Sequence, residues 1–399
     1  MTDRHGRHEQ GRVDAAEDAA YEPPQLEQEI TYGPEYEPGY VPDRRPRRRL
    51  PLEDSHPVRT RRPQALLFGA VAGAIVVALI VAVVTFVRSD GSGELGPTGK
   101  PLPSATGLFI DPTAPAALQA QEWQSQGRTE DARRMGAIAA QPVPQWVTAP
   151  TGHVGAQVSA YVQKAKGAGQ RPFLVAYHVP NRDCASFSAG GAENTKDYAA
   201  WIRELADAVK GTDALVVVEP DAVPHEVSGC AGGKAQERYG LLTDAVQVLK
   251  DAGAKVYLDA GNPGFVTDTG AIADALKRSG VEHADGFSLN VANFYPTDQN
   301  ITYGRKISDV LGGAHFVIDT SRNGNGRPAT SGDINGGPAW CNPPGRQIGQ
   351  APTLSTGEDR VDAYLWIKRP GESDGSCRDG EPAAGQWMPD YALGLVSKV

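Results

Sequence analysis

From residue 105 onward, short apolar runs alternate with helical patterns, and that rhythm restricts the fold more than any other feature of the chain. The runs are "GLFID" (107–111), "PFLVAYHV" (172–179), "ALVVVE" (214–219), "KVYLDA" (255–260), "GFSLNV" (286–291), "HFVID" (315–319) and "AYLWIK" (363–368). Runs of this length without polar alternation read as strands buried on both faces. Between them, "TKDYAAWIRELADAVKG" puts Tyr198, Ile202, Leu205, Ala206 and Val209 on one helical face. "ERYGLLTDAVQVLKDAG" and "TGAIADALKRSG" look similar, each with Gly at or near its stop. Strands alternating with helices predict an α/β fold of parallel βαβ units. Seven strands within about 290 residues either close into a barrel or form an open doubly wound sheet.

The residues that follow these strands are acids and amides. Asp183 follows the second run, Glu219 and Asp221 the third; Asp259 closes the fourth, Asn290 and Asn293 follow the fifth, Asp319 closes the sixth, and Glu372 and Asp374 follow the last. In "VVVEPD" alone the acids read as a turn, with Pro220 fixing φ and Asp221 capping a helix. Acids or amides after six strands mean more, because parallel strands open their C-terminal ends onto one face and active sites collect there.

Several chemistries are missing from the motifs. There is no Gly-x-Ser-x-Gly elbow and no HExxH, and "SRNGNGRP" lacks the lysine and spacing of a phosphate loop. Tryptophans and tyrosines beside carboxylates suit a sugar, and two acids alone hydrolyse a glycoside, one giving a proton and one acting as base or nucleophile. A net charge of −9 argues against nucleic acid as a partner.

The N-terminal quarter has a different character. Residues 1–64 are charged and proline-rich, with eight arginines between Arg44 and Arg62, and read as a disordered arm. Residues 65–87 form a run of 23 without one charge, roughly 34 Å of helix against a hydrocarbon core of roughly 30 Å. Arginines before the run and only Arg88 close behind it predict a single-pass, uncleaved anchor. The N-terminus is then cytoplasmic, and a linker (88–104) and a domain (105–399) lie outside the cell membrane. Cys184, Cys230, Cys341 and Cys377 all follow the run, where an oxidising compartment lets them pair. Four cysteines allow three pairings; zinc competes, but no two sit at CxxC spacing, and disulfides fit better.

"VPNRDCASFSAGG", "VVVEPDAV", "YLDAGN", "NVANF", "VIDTSRNGNG", "AWCNPPGRQIG" and "LWIKRPGESDG", in this order, closely resemble glycoside hydrolase family 6. The resemblance spans about residues 107–399 and implies an inverting β-1,4-glucanase on a distorted, seven-stranded parallel β/α barrel, with no cofactor and no metal. By position it implies Asp221 as general acid, Asp183 as the companion that helps hold it protonated, and Asp374 as the base. Asp259 would be a further carboxylate of the cleft, and Trp146, Asn293, Trp340, Lys368 and Glu372 substrate contacts. It also implies the bridges Cys184–Cys230 and Cys341–Cys377.

The chain departs from the family pattern in two places. The family usually has DAGH with Trp two residues on, where this chain has Asn262 and Phe265; it usually has another Trp near Pro296 of "NFYPTD". Two sugar platforms are therefore expected to be weakened or lost. The segment after Cys377 is short, whereas chain-end enzymes of the family carry a long loop there, so an open cleft and internal attack are expected. The expected substrate is a cellulose-like or mixed-linkage β-glucan. Competing readings are another envelope β-glucan as substrate, or a non-catalytic glycan-binding protein of the envelope.

Overall fold

The valine-rich runs do form strands, and all of them pair in parallel. The computed structural model describes residues 105–230 and 234–399; the expected arm, membrane span and linker lie outside the described residues. Among the described residues no helix is long and apolar enough to cross a membrane. One sheet holds seven strands in the order β1 (Gln145–Val147), β2 (Phe173–Ala176), β3 (Leu215–Val218), β4 (Lys255–Asp259), β5 (Gly286–Leu289), β6 (Phe316–Asp319) and β9 (Val361–Leu365). A small antiparallel hairpin, β7 (Asp333–Ile334) with β8 (Gly337–Pro338), lies between the last two.

Alternation along each strand builds two cores. Leu174, Val216, Leu258, Leu289 and Ile318 face outward and pack under helices that include α3 (Val154–Gly167), α4 (Thr195–Val209), α6 (Ala235–Asp251), α7 (Thr269–Arg278) and α8 (Thr297–Val310). Phe173, Val175, Leu215, Val217, Tyr257, Val317, Ala363 and Leu365 form a second cluster inside. Side chains from β2, β3, β4, β6 and β9 meet in that inner cluster only because the sheet curls on itself, as in β/α barrels. The curl stops short of closure: β1 and β9 are the two ends of the strand order. The Trp146 indole N–H donates across that seam to the Ile367 carbonyl at 2.9 Å. Helices α1 (Pro115–Ser125), α2 (Thr129–Ala139) and α9 (Pro389–Leu395) cover the outside of β9 by packing on Trp366.

The helical faces read from the sequence are the buried ones. In α4, Tyr198, Ile202, Leu205, Ala206 and Val209 are all buried, with Trp201 beside them. Asn194 caps this helix by accepting the Asp197 N–H, and Asp268 caps α7 by accepting from Gly270 and Ala271. The first expected strand is a correction. "GLFID" makes only a single bridge, Leu108 with Arg171, and Pro112 follows it directly. The seventh strand is "QWV", three residues between prolines, too short to show a hydrophobic period.

The seam gives a direct test. Trp146→Phe keeps an aromatic ring but leaves the Ile367 carbonyl without its donor, so we expect a loss of about 0.5–1.5 kcal/mol in unfolding free energy. Urea titration of the two proteins measures it; an unchanged midpoint would mean the indole does not hold the seam.

Candidate active site

Every strand of the curled sheet delivers its C-terminal end to one cleft of about 1010 Å³. Of the residues expected there, Asp183, Asp221, Asp374, Trp146, Asn293, Trp340, Lys368 and Glu372 all line it. Asp221 opens the short helix α5 (Ala222–Val227) from a left-handed backbone, φ 69°. Asp183 lies in a left-handed stretch of its own, with φ 57°, followed by Cys184 at 47°. The structure pairs Cys184 with Cys230 and Cys341 with Cys377. The first bridge joins the Asp183 loop to the end of the Asp221 turn; the second closes three residues beyond Asp374.

Asp259 does not take the expected place. It is 1% exposed and lies behind the cleft wall rather than on it. Its carboxylate instead accepts the backbone N–H of Asp221 at 2.9 Å, that of Gly261 at 3.1 Å and the Ser288 hydroxyl at 3.2 Å. The reason is strand parity: Asp259 and Tyr257 point the same way, into the interior of the curl, and Asp259 ends there beneath the Asp221 turn.

The acids differ sharply in their surroundings. Burial, then the charges of Asp259 and Asp183, pushes the Asp221 carboxyl well above the usual carboxylate range. Burial also raises Asp183, which accepts the Ser188 N–H at 2.6 Å. At Asp374 burial is outweighed by Arg322 and Lys368, at 2.8 and 3.3 Å, and its carboxyl is held below the usual range. Asn342 donates a further backbone N–H to it at 2.9 Å. Lys368 is itself pulled down by burial, so the permanent charge of fully buried Arg322 is the firmer counter-ion. The cleft thus places a proton-holding carboxyl beside Asp183 and an ionised carboxylate on the loop that follows β9.

Aromatic rings supply the walls. Trp340 is 45% exposed and meets Phe187 edge-on at 5.8 Å. Trp146 meets Tyr177 edge-on at 5.2 Å. Phe265 lines the cleft and lies edge-on to His225 at 5.3 Å; burial, then Arg238, pushes that histidine's pKa down to about 4. Pro296 is off the wall, but its neighbour Tyr295 is on it. The two departures from the family pattern therefore leave smaller rings rather than bare backbone.

Residues 104–399 match the family described as glycosyl hydrolases family 6. The chain belongs to that family. It is similar at 40% identity to endoglucanase A of Cellulomonas fimi over 73% of this chain and 61% of that protein. It is 38% identical to endoglucanase 1 of Streptomyces halstedii over 74% of this chain and 90% of the relative. Among solved structures it resembles the endoglucanase Cel6 of Mycobacterium tuberculosis, solved in complex with a methyl-cellobiosyl-4-deoxy-4-thio-β-D-cellobioside. There the TM-score is 0.67 at 39% identity, over 73% of this chain and 97% of the other. The chain spans about three-fifths of the Cellulomonas protein's length.

Some residues of the family 6 site did not stand out in the sequence. Arg182, one position before Asp183, crosses the Tyr177 ring and donates to the Tyr177 and Ser188 carbonyls. Arg322 sits inside the "VIDTSRNGNG" motif, and only its burial beside Asp374 shows what it does. Glu219 follows the same strand as Asp221 in the sequence, yet it is fully buried and does not line the cleft.

A proton held on the Asp221–Asp259 pair has a consequence for stability. Both carboxyls bind protons more tightly in the folded state than in the unfolded chain. Their contribution is fully present below about pH 4 and is lost as pH rises through the raised folded-state values. Asp221→Asn removes that loss, so its melting temperature should exceed the parent's by about 2–4 °C at pH 8 and match it at pH 4. Calorimetry at the two pH values checks this, and equal melting temperatures at pH 8 would refute it.

Proposed function

We propose that the chain hydrolyses internal β-1,4-glucosidic bonds of cellulose-like or mixed-linkage glucans with inversion, Asp221 acting as general acid. The observation that carries this reading is the separation of proton affinities in one cleft: Asp221 raised, Asp374 lowered. Two titratable groups pushed apart by their surroundings are how a site provides an acid and a base at the same pH. The Cellulomonas and Streptomyces relatives are endoglucanases by name, and the Mycobacterium structure holds a thio-linked cellobioside; both support the substrate class.

In this mechanism Asp221 gives its proton to the glycosidic oxygen as the bond from that oxygen to the anomeric carbon breaks. Water attacks the anomeric carbon from the opposite face and loses its proton to the Asp374 carboxylate, directly or through a second water. Asp183, beside Asp221, keeps the acid protonated until the oxygen approaches. A carboxylate held by two cations is a weak base, so Asp374 acts chiefly by remaining ionised and by orienting the water. Trp340 and Trp146 offer ring faces to pyranose units, and Asn293, Lys368 and Glu372 offer polar contacts along the same wall.

We also propose that the domain works outside the cell membrane, tethered through residues 65–87. The uncharged run, the arginines before it and the two disulfides support this. Membrane fractionation with protease protection of intact cells tests it; a protected domain would reverse the orientation.

A proton NMR time course on cellohexaose decides the reaction. Initial α-anomer product from the parent and none from Asp221→Ala would establish inversion with Asp221 as acid, whereas initial β-anomer would exclude it. In kcat/KM the alkaline limb should lie above ordinary carboxylate values, since Asp221 must stay protonated. Lys368→Met removes a charge that holds Asp374 down, so the acidic limb should move to higher pH. A limb that stays in place would separate Asp374 from the rate.

A further inference from the structure

Asp183 sits in a loop closed by its own hydrogen bonds, from Arg182 and Ser188, and anchored to the rest of the domain from outside. Asn181, Asp183 and Cys184 all have left-handed backbones, φ 52°, 57° and 47°, a conformation that asparagine and aspartate tolerate but that is unfavourable at Cys184. Such a stretch persists only where its surroundings over-determine it. Three features do so: the Cys184–Cys230 bridge, a hydrogen bond from Arg238 to the Pro180 carbonyl at 2.9 Å, and Glu219.

Glu219 is wholly buried and absent from the cleft wall. Its carboxylate accepts the His178 N–H at 3.0 and 2.9 Å, one distance to each oxygen, and the Val179 N–H at 3.0 Å. These residues are the first foot of the Asp183 loop. The second foot is tied to the first, because the Ala192 N–H donates to the His178 carbonyl at 2.7 Å. Gly191 allows the two feet to meet, since a Cβ there would lie 1.9 Å from the Val179 carbonyl oxygen. The main chain of Glu219 serves the other acid: its carbonyl accepts the Ala222 N–H at 3.0 Å, closing the turn that presents Asp221.

We propose that Glu219 is a positioning residue for the acid pair: its side chain clamps the first foot of the Asp183 loop, to which the second foot is tied, while its backbone starts the Asp221 turn. One buried residue thereby sets the geometry between the two carboxyls. This inference rests on the hydrolytic reading above for its consequence in rate, but not for the clamp itself. A glutamine would present one oxygen and one NH₂ to N–H groups now held by two oxygens, so the first foot would loosen from the end of β3. A shift of about 1 Å at a reacting group is enough to lower a rate on the order of 100-fold.

The test is a double-mutant cycle in the full chain on cellohexaose, with Glu219→Gln, Asp183→Ala and the pair. A clamp acting through Asp183 predicts that Glu219→Gln lowers kcat about 10- to 100-fold with KM within about twofold. It also predicts that the double variant is no slower than Asp183→Ala alone. Losses that multiply, or a parental kcat in Glu219→Gln, would overturn the proposal, because a merely structural role lowers stability without coupling to Asp183. Glu219→Asp, which keeps the charge but withdraws the carboxylate, supplies the same cycle if the glutamine variant does not fold. Crystal structures of parent and variant separate the two readings. If the parent hydrolyses nothing, the hydrolytic reading falls, and a displaced 178–184 segment still supports the clamp while a superimposable one refutes it.

Discussion

The strand ends of this domain are laced together by buried carboxylates that accept backbone N–H groups from neighbouring loops. Glu219, after β3, holds His178 and Val179 at the exit of β2. Asp259, at the end of β4, holds Asp221 at the exit of β3. Asp319, at the end of β6, accepts from Ala292 after β5 and from Ile367 and Lys368 after β9. Parallel strands that splay into loops leave N–H groups without ladder partners, and each one buried unpaired costs about 1–3 kcal/mol. A carboxylate taken out of water is costlier still, unless several donors meet it. Each deficiency answers the other, and the result is a rim whose loops cannot move independently.

The same lacing explains the electrostatics above it. Burial raises the proton affinity of Asp221, and the charge of Asp259 beneath it adds to this, because a second negative charge in a water-poor site opposes ionisation. Asp221 is thus kept protonated by structure that serves the backbone first. After β9 the arrangement is opposite: Arg322, fully buried, lies over the Phe294 ring and reaches Asp374. Here the buried charge is positive and the surface carboxyl is held ionised. The contrast between the two acids therefore follows from the sign of the charge packed beneath each.

Much of this was legible in the sequence. Six of the seven strands appear as apolar runs, since strands buried on both faces need no period to be seen. "QWV" escaped because three residues between prolines carry no pattern, while "GLFID" has strand composition without a neighbour to pair along its length. The cleft residues were found because acids after parallel strands converge; their roles came from resemblance. What one dimension cannot show is direction. Glu219, Asp221 and Asp259 look alike as acids at strand ends, yet two point under the rim and one into the cleft. Parity along β4 assigns Asp259 to the interior, but only the left-handed turns at Glu219 and Asp221, φ 48° and 69°, decide the other two.

Those directions also bear on the altered part of the wall. Asn262 accepts the Gly264 N–H at 3.0 Å, making a tight turn that needs no large side chain. Gly264 has no room for one, since a Cβ would lie 1.6 Å from the Tyr295 hydroxyl. Tyr295 packs over this turn, with Arg327 5.4 Å from its ring, and Phe265 rests on His225. Each ring is braced by a neighbour, Phe265 by His225 and Tyr295 by Arg327, so this stretch is a packed wall. Its contacts lie apart from the hydrogen bonds that hold Asp183 and Asp374, but His225, on which Phe265 rests, donates its backbone N–H to the Asp221 carbonyl at 2.9 Å. The altered wall and the acid turn therefore meet at His225, so a change at Phe265 bears on a residue that also holds the Asp221 turn.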